Sequence, residues 1–92
     1  MNKTEQHKKL CDGLHTLYIN KNHDYGDSFG KSYKEYGLTM AAIRLDDKLN
    51  RFKSLMKGDQ KVNDESIVDT LRDLANYALM TVVELENEQI QR

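Results

Sequence analysis

Asp64-Glu65-Ser66-Ile67-Val68-Asp69-Thr70-Leu71-Arg72-Asp73-Leu74-Ala75-Asn76-Tyr77 carries two stripes that disagree when read at helical period. Val68, Leu71, Leu74, Ala75 and Ala78 make an apolar stripe, which Leu79, Val82 and Leu85 continue. Glu65, Asp69, Asp73 and Asn76 make a second stripe, each residue about one turn beyond the last. Surface helices usually alternate acids and bases to form local pairs. Three stacked acids repel one another unless a cation faces them. The matching stripe lies upstream, where Arg44, Asp47, Lys48 and Arg51 share one helical face. An acidic stripe facing a mainly basic one is the feature on which function is expected to turn.

The surrounding sequence gives these stripes a helical setting. Proline is absent, and no run of strand-like alternation is evident. Asn2 or Thr4 can cap a first helix, in which Leu10, Leu14, Leu17 and Tyr18 keep helical spacing and Gly13 can admit a close neighbour. That pattern breaks at Asn20–Asn22. Phe29, Tyr33 and Tyr36 at i, i+4 and i+7 mark a short aromatic-faced helix that Gly37 ends. Thr39 can cap a third helix running to about Met56, with Leu45, Leu49, Phe52 and Met56 on its core side. Gly58 stops it, and Asn63 or Asp64 caps the last helix, which runs to about Glu88. The expected architecture is a single all-α domain over residues 1–92, a small bundle of three main helices plus one short helix.

Composition bounds the function. A chain of 92 residues buries only about 60–65% of its unfolded surface. Its core is thin, and a homo-oligomer is expected. Lys and Arg total 14 against 15 Asp and Glu, a net charge of −1. That balance argues against a duplex nucleic-acid binder, which carries a basic excess. No apolar run approaches the roughly 20 residues of a membrane span. The lone Cys11 cannot close an internal disulfide and reads as an inert packing residue, and the absence of a signal-like start points to a cytoplasmic protein.

Several groups carry candidate chemistry. Arg44, Lys48 and Arg51 suit phosphate, arginine as a planar fork and lysine as a point charge. Lys21, His23 and Lys31 flank or lie in the glycine turn His23–Ser28, whose backbone N–H groups can help hold an anion. Tyr25, Phe29 and Tyr77 can stack on a base, and Asn76 offers a donor and an acceptor to a base edge. Glu65, Asp69 and Asp73, one turn apart, can share a hard divalent cation such as magnesium. The plain reading of the same acids is ion pairing with the cations. Aromatics at helical spacing are commonly core, and His7 and His15 read as structural. No Walker-type phosphate loop, dinucleotide fingerprint, nucleophile elbow or paired-cysteine metal motif is present.

Taken together, His23-Asp24-Tyr25-Gly26, the Arg44-x-x-Asp47-Lys48-x-x-Arg51 run and the acidic helix through Asp73-Leu74-Ala75-Asn76-Tyr77 resemble the nucleotide-modification-associated domain 1 family, small proteins frequent in phage genomes. The resemblance covers about Leu14 to Leu85. A more distant similarity is to all-α MazG-like nucleotide pyrophosphohydrolases, which hold magnesium between acids on two facing helices. This chain keeps acids on the later helix, Glu65, Asp69 and Asp73, while the earlier helix has only Asp46 and Asp47. Arg44, Lys48 and Arg51 stand where the earlier helix would carry metal-binding glutamates, and cations there repel a metal and attract phosphate.

With the resemblance, the small size, the phosphate-type cations and the incomplete metal motif point to a phage-type nucleotide-binding protein that is expected to hold, and to sequester, a nucleotide-derived molecule such as a host defence signal. Its expected ligand site is Lys21, His23, Tyr25, Phe29, Lys31, Arg44, Lys48, Arg51, Asp73, Asn76 and Tyr77. Two alternatives stand beside it. One is a magnesium-dependent pyrophosphohydrolase or nucleotide-modification enzyme using Glu65, Asp69 and Asp73. The other is a helical adaptor that binds another protein.

Overall fold

In a computed structural model, residues 2–58 and 66–90 are described. They form four helices and no strand: α1 (Lys3–Tyr25), α2 (Ser28–Tyr36), α3 (Leu38–Lys57) and α4 (Ile67–Ile90). The chain is all-α, a small bundle of three long helices and a short one.

Local chemistry sets the helix ends. Asn2 caps α1, its side-chain oxygen accepting from the Glu5 backbone N–H at 2.8 Å. The helix does not break at Asn20–Asn22. It runs on to Tyr25 and stops only at Gly26, which takes a left-handed conformation with φ 60°. Asp27 is also left-handed and precedes α2 without a side-chain capping bond. Gly37 both ends α2 and starts α3, with φ 70° and ψ −156°. Thr39 therefore lies inside α3 and is not its cap. Gly58 ends α3 as expected. The Asn63 and Asp64 caps lie outside the described residues. The side chain that caps α4 is that of Ser66, whose Oγ accepts from the Asp69 N–H at 3.0 Å.

The core is small and sits between α2, α3 and α4. Phe29, Tyr33, Met40 and Ala41 form its buried cluster, with Tyr77 and Met80 packed against it. Tyr36 is exposed, so only two of the three α2 aromatics are core. Tyr33 also donates its hydroxyl to Glu88 Oε2 at 3.1 Å, tying α2 to the end of α4.

On α3 the inward stripe is Ala41, Leu45, Lys48, Phe52 and Leu55, spaced i, i+4, i+7, i+11 and i+14. Leu49 and Met56, expected inside, are exposed. The inward face is rotated toward the cations. Lys48 lies on the core side, not on a separate face, because it has a carboxylate to meet there.

The same inversion governs α4. Thr70, Asn76 and Thr81 are buried, whereas Val68, Leu71, Leu79 and Val82 are exposed. The buried threonines answer their own hydroxyls: Thr70 donates to the Ser66 carbonyl at 2.9 Å and Thr81 to the Tyr77 carbonyl at 2.7 Å. Both buried hydroxyls thus find acceptors on the backbone of α4's own turns.

α1 contributes no buried residue. Among the described residues Gly13 has no atom within 4 Å of where a Cβ would sit, so none of them is brought close by it. Cys11 is exposed rather than packed, 3.8 Å from His7 Nδ1. No helix among the described residues is long and apolar enough to cross a membrane.

The turn at Gly37 positions α3, and its backbone angles lie in a region that L side chains avoid. Gly37→Ala is expected to cost roughly 1–3 kcal/mol, measured by urea unfolding. Unchanged stability would show that the α2–α3 turn relaxes freely.

Candidate functional site

Each helix gives one face to a common cavity of about 440 Å³. α1 supplies Tyr18, Lys21, Asn22 and Tyr25, which recur at i, i+3, i+4 and i+7. α2 supplies Ser28, Phe29 and Ser32. α3 supplies Met40, Arg44 and Lys48, one turn apart in sequence. α4 supplies Asp73, Asn76, Tyr77 and Met80. One end is cationic and the other aromatic and thioether-lined.

Asp73 is the electrostatic centre. Its Oδ1 lies 3.3 Å from Lys21 Nζ and its Oδ2 lies 3.1 Å from Lys48 Nζ. The carboxylate is largely shielded, as is Lys48, while Lys21 is half exposed. Burial on its own pushes the Asp73 carboxyl up. The hydrogen bond from Lys48 and the charges of both lysines outweigh it and hold the group below the ordinary carboxylate range.

Arg44 is exposed at the same cavity, and among the described residues it makes no ion pair. Lys21, Arg44 and Lys48 are the cations that line the cavity, and among the described residues Asp73 is the acid that does. At the other end Phe29 and Tyr77 stack with ring centroids 5.9 Å apart and planes at 23°. Asn76 donates its side-chain N–H to the Leu14 carbonyl at 3.2 Å, holding α1 against α4 beside the cavity.

The structure brings together Lys21, Tyr25, Phe29, Arg44, Lys48, Asp73, Asn76 and Tyr77. It leaves out three residues expected with them. His23 is exposed and lies 3.3 Å from Asp24. Lys31 is exposed beside the Gly26 turn. Arg51 is half-buried on α3 but does not line the cavity.

The acidic stripe also divides. Asp69 is exposed and lies 3.9 Å from Arg72 of its own helix, whereas Asp73 faces the lysines. Glu65 lies outside the described residues. Among the described residues no three potential metal ligands come together. The Asp69–Asp73 pair does not fit a magnesium site: one carboxylate faces outward, and the other is held by two ammonium groups.

Tyr18, Asn22, Ser28, Ser32, Met40 and Met80 also line the cavity and fall outside the expected set. The sequence does carry a signal for Tyr18 and Asn22, as members of one face with Lys21 and Tyr25, once α1 is read as continuous through Asn22.

The Asp73 pairs impose a pH dependence. A carboxyl held below its unfolded value binds its proton more weakly in the folded state. Its stabilisation is complete above the unfolded value and is lost as pH falls through the folded one. Between about pH 5 and pH 3 the wild type is expected to lose stability in urea titrations more steeply than Asp73→Asn. Equal slopes would remove Asp73 as a source of acid sensitivity.

No curated protein and no solved structure matches the chain, and the likeness to MazG-like pyrophosphohydrolases has no such support. A family model does match, that of nucleotide modification associated domain 1, over residues 21–85. That span includes every cavity residue except Tyr18, and on this match the chain belongs to the nucleotide modification associated domain 1 family.

Proposed function

We propose that this protein binds a nucleotide or nucleotide-derived small molecule in the cavity between its four helices. The observation that carries the reading is Arg44, a guanidinium at the cavity that no carboxylate among the described residues engages. Arg44 and Lys48 meet the phosphate, with Lys21 alongside. Asp73 positions both lysines and reaches a ribose hydroxyl when the ligand enters. Phe29, Tyr77 and Tyr25 at the end of α1 flank the base, and Asn76, whose N–H is engaged by Leu14, offers its amide oxygen to a base amino group.

The family description ties the domain to nucleotide modification. The site itself supports holding a ligand over transforming it. The magnesium-dependent alternative requires Asp73 to leave two lysines and Asp69 to turn inward. In a phage-type protein of this size, tight binding by itself serves a purpose: it withdraws a cyclic or modified nucleotide signal made by host defence. Cytoplasmic location follows from that role.

Calorimetry against cyclic dinucleotides, ADP-ribose derivatives and ordinary nucleotides tests the reading. At least one member is expected to bind tighter than millimolar. Arg44→Ala and Lys48→Ala are each expected to weaken it by about 1.5–3 kcal/mol, the range of a charge-assisted hydrogen bond, while Lys31→Ala leaves it unchanged. No binding across the panel, or equal binding by the Arg44 and Lys48 variants, overturns it.

A further inference from the structure

The outward face of α4 is apolar in a regular way. Val68, Leu71, Ala75, Ala78, Val82 and Leu85 follow one another at alternating intervals of three and four residues. That is the seam of a left-handed helix pair. At 100° per residue the seam lies on the opposite side of α4 from Asp73, Tyr77 and Met80, which line the cavity. It is largely bare: Val68 is 54% exposed, Val82 49%, and Leu79 beside the seam 55%. The neighbouring part of α1 leaves a groove alongside it, lined by Leu10, Gly13 and Leu17 with Arg72 from α4.

The area left uncovered identifies the kind of occupant. A compact 10.7 kDa chain is expected to expose about 5,500 Å². This one exposes 7270 Å², an excess of roughly 1,800 Å² over that scaling. Its radius of gyration is 14.9 Å where about 12 Å is expected for its length. Obligate homodimers bury about 2,000–5,000 Å² in total, hence about 1,000–2,500 Å² per chain, and the excess falls within that range.

We infer that α4 pairs with α4 of a second copy of this chain through this seam, in antiparallel orientation about a twofold axis. Two charges set the orientation. Arg72 flanks the seam toward its N-terminal end and Glu86 toward its C-terminal end, and both are exposed. A parallel pair leaves Arg72 and Glu86 fourteen residues apart along the seam and on opposite sides of it in the two chains, so they never meet. An antiparallel pair sets Arg72 of each chain beside Glu86 of the other and opposes the two helix dipoles. The inference does not depend on the cavity's ligand, because seam and cavity occupy opposite sides of α4.

Light scattering on the eluted full chain tests it. The wild type is expected at twice the 10.7 kDa of one chain. Leu79→Glu is expected at the single-chain mass with its helical circular dichroism retained. Arg72→Glu and Glu86→Arg are each expected to weaken association at least tenfold, and the two together to restore it. Arg44→Ala, at the cavity, is expected to leave the mass unchanged. A wild type that runs as a single chain overturns the inference, as does an assembly that Leu79→Glu leaves intact. If Leu79→Glu fails to fold, the charge-exchange pair decides, and failure of the double variant to recover association overturns the antiparallel pairing.

Discussion

A carboxylate facing inward on α4 has to be answered, and the way this chain answers it fixes most of what surrounds it. Asp73 sits where burial disfavours its charge, and Lys21 of α1 and Lys48 of α3 both reach it. One acid thereby ties together three helices that are far apart in sequence. Burying either partner alone would be costly, since an unpaired charge in a shielded place loses its hydration without compensation. The pairing also explains the rotation of α3. Its inward stripe includes Lys48, and Leu49 and Met56 are turned outward as a result. Where three helices converge on a charged knot instead of on leucines, they cannot close completely. The cavity beside Asp73 is the space that remains.

That geometry sorts the charges by role. Lys21 and Lys48 are both held by Asp73. Arg44 lies one turn from Lys48 and is not engaged by any described carboxylate. The proposed ligand, an anion that carries a flat group, rests on cations at one end of the cavity and stacked rings at the other. Membership in the nucleotide modification associated domain 1 family is in keeping with such a ligand.

Much of this is legible in the sequence. The absence of proline, the cap at Asn2 and the stops at Gly37 and Gly58 specify an all-α chain with three long helices and one short. Arg44 and Lys48 share a face by their spacing alone, and Phe29 and Tyr77 stand out as aromatics suited to a pocket. What spacing cannot supply is the partner across the bundle. The pairing of Lys21 with Asp73 spans 52 residues, and local period says nothing about it. The three polar residues Asn20–Asn22 read as a helix break on composition. They are instead exposed or cavity-facing positions of a continuous α1. Breaking the helix there hides Tyr18 and Asn22 from the site and draws His23 and Lys31 too near it. The outward turn of the α4 apolar stripe is illegible for a related reason: helical period shows which face is greasy, and not whether this chain or another covers it.

The carboxyl carbon of Asp73, followed by carbon-13 NMR through an acid titration, gives the most direct test of the knot on which the cavity depends. Its midpoint is expected below the ordinary carboxylate range and is expected to rise when Lys48 is replaced by methionine. A midpoint at the ordinary value, indifferent to Lys48, would mean that the lysines do not hold Asp73 and that the cavity beside them is not built as described.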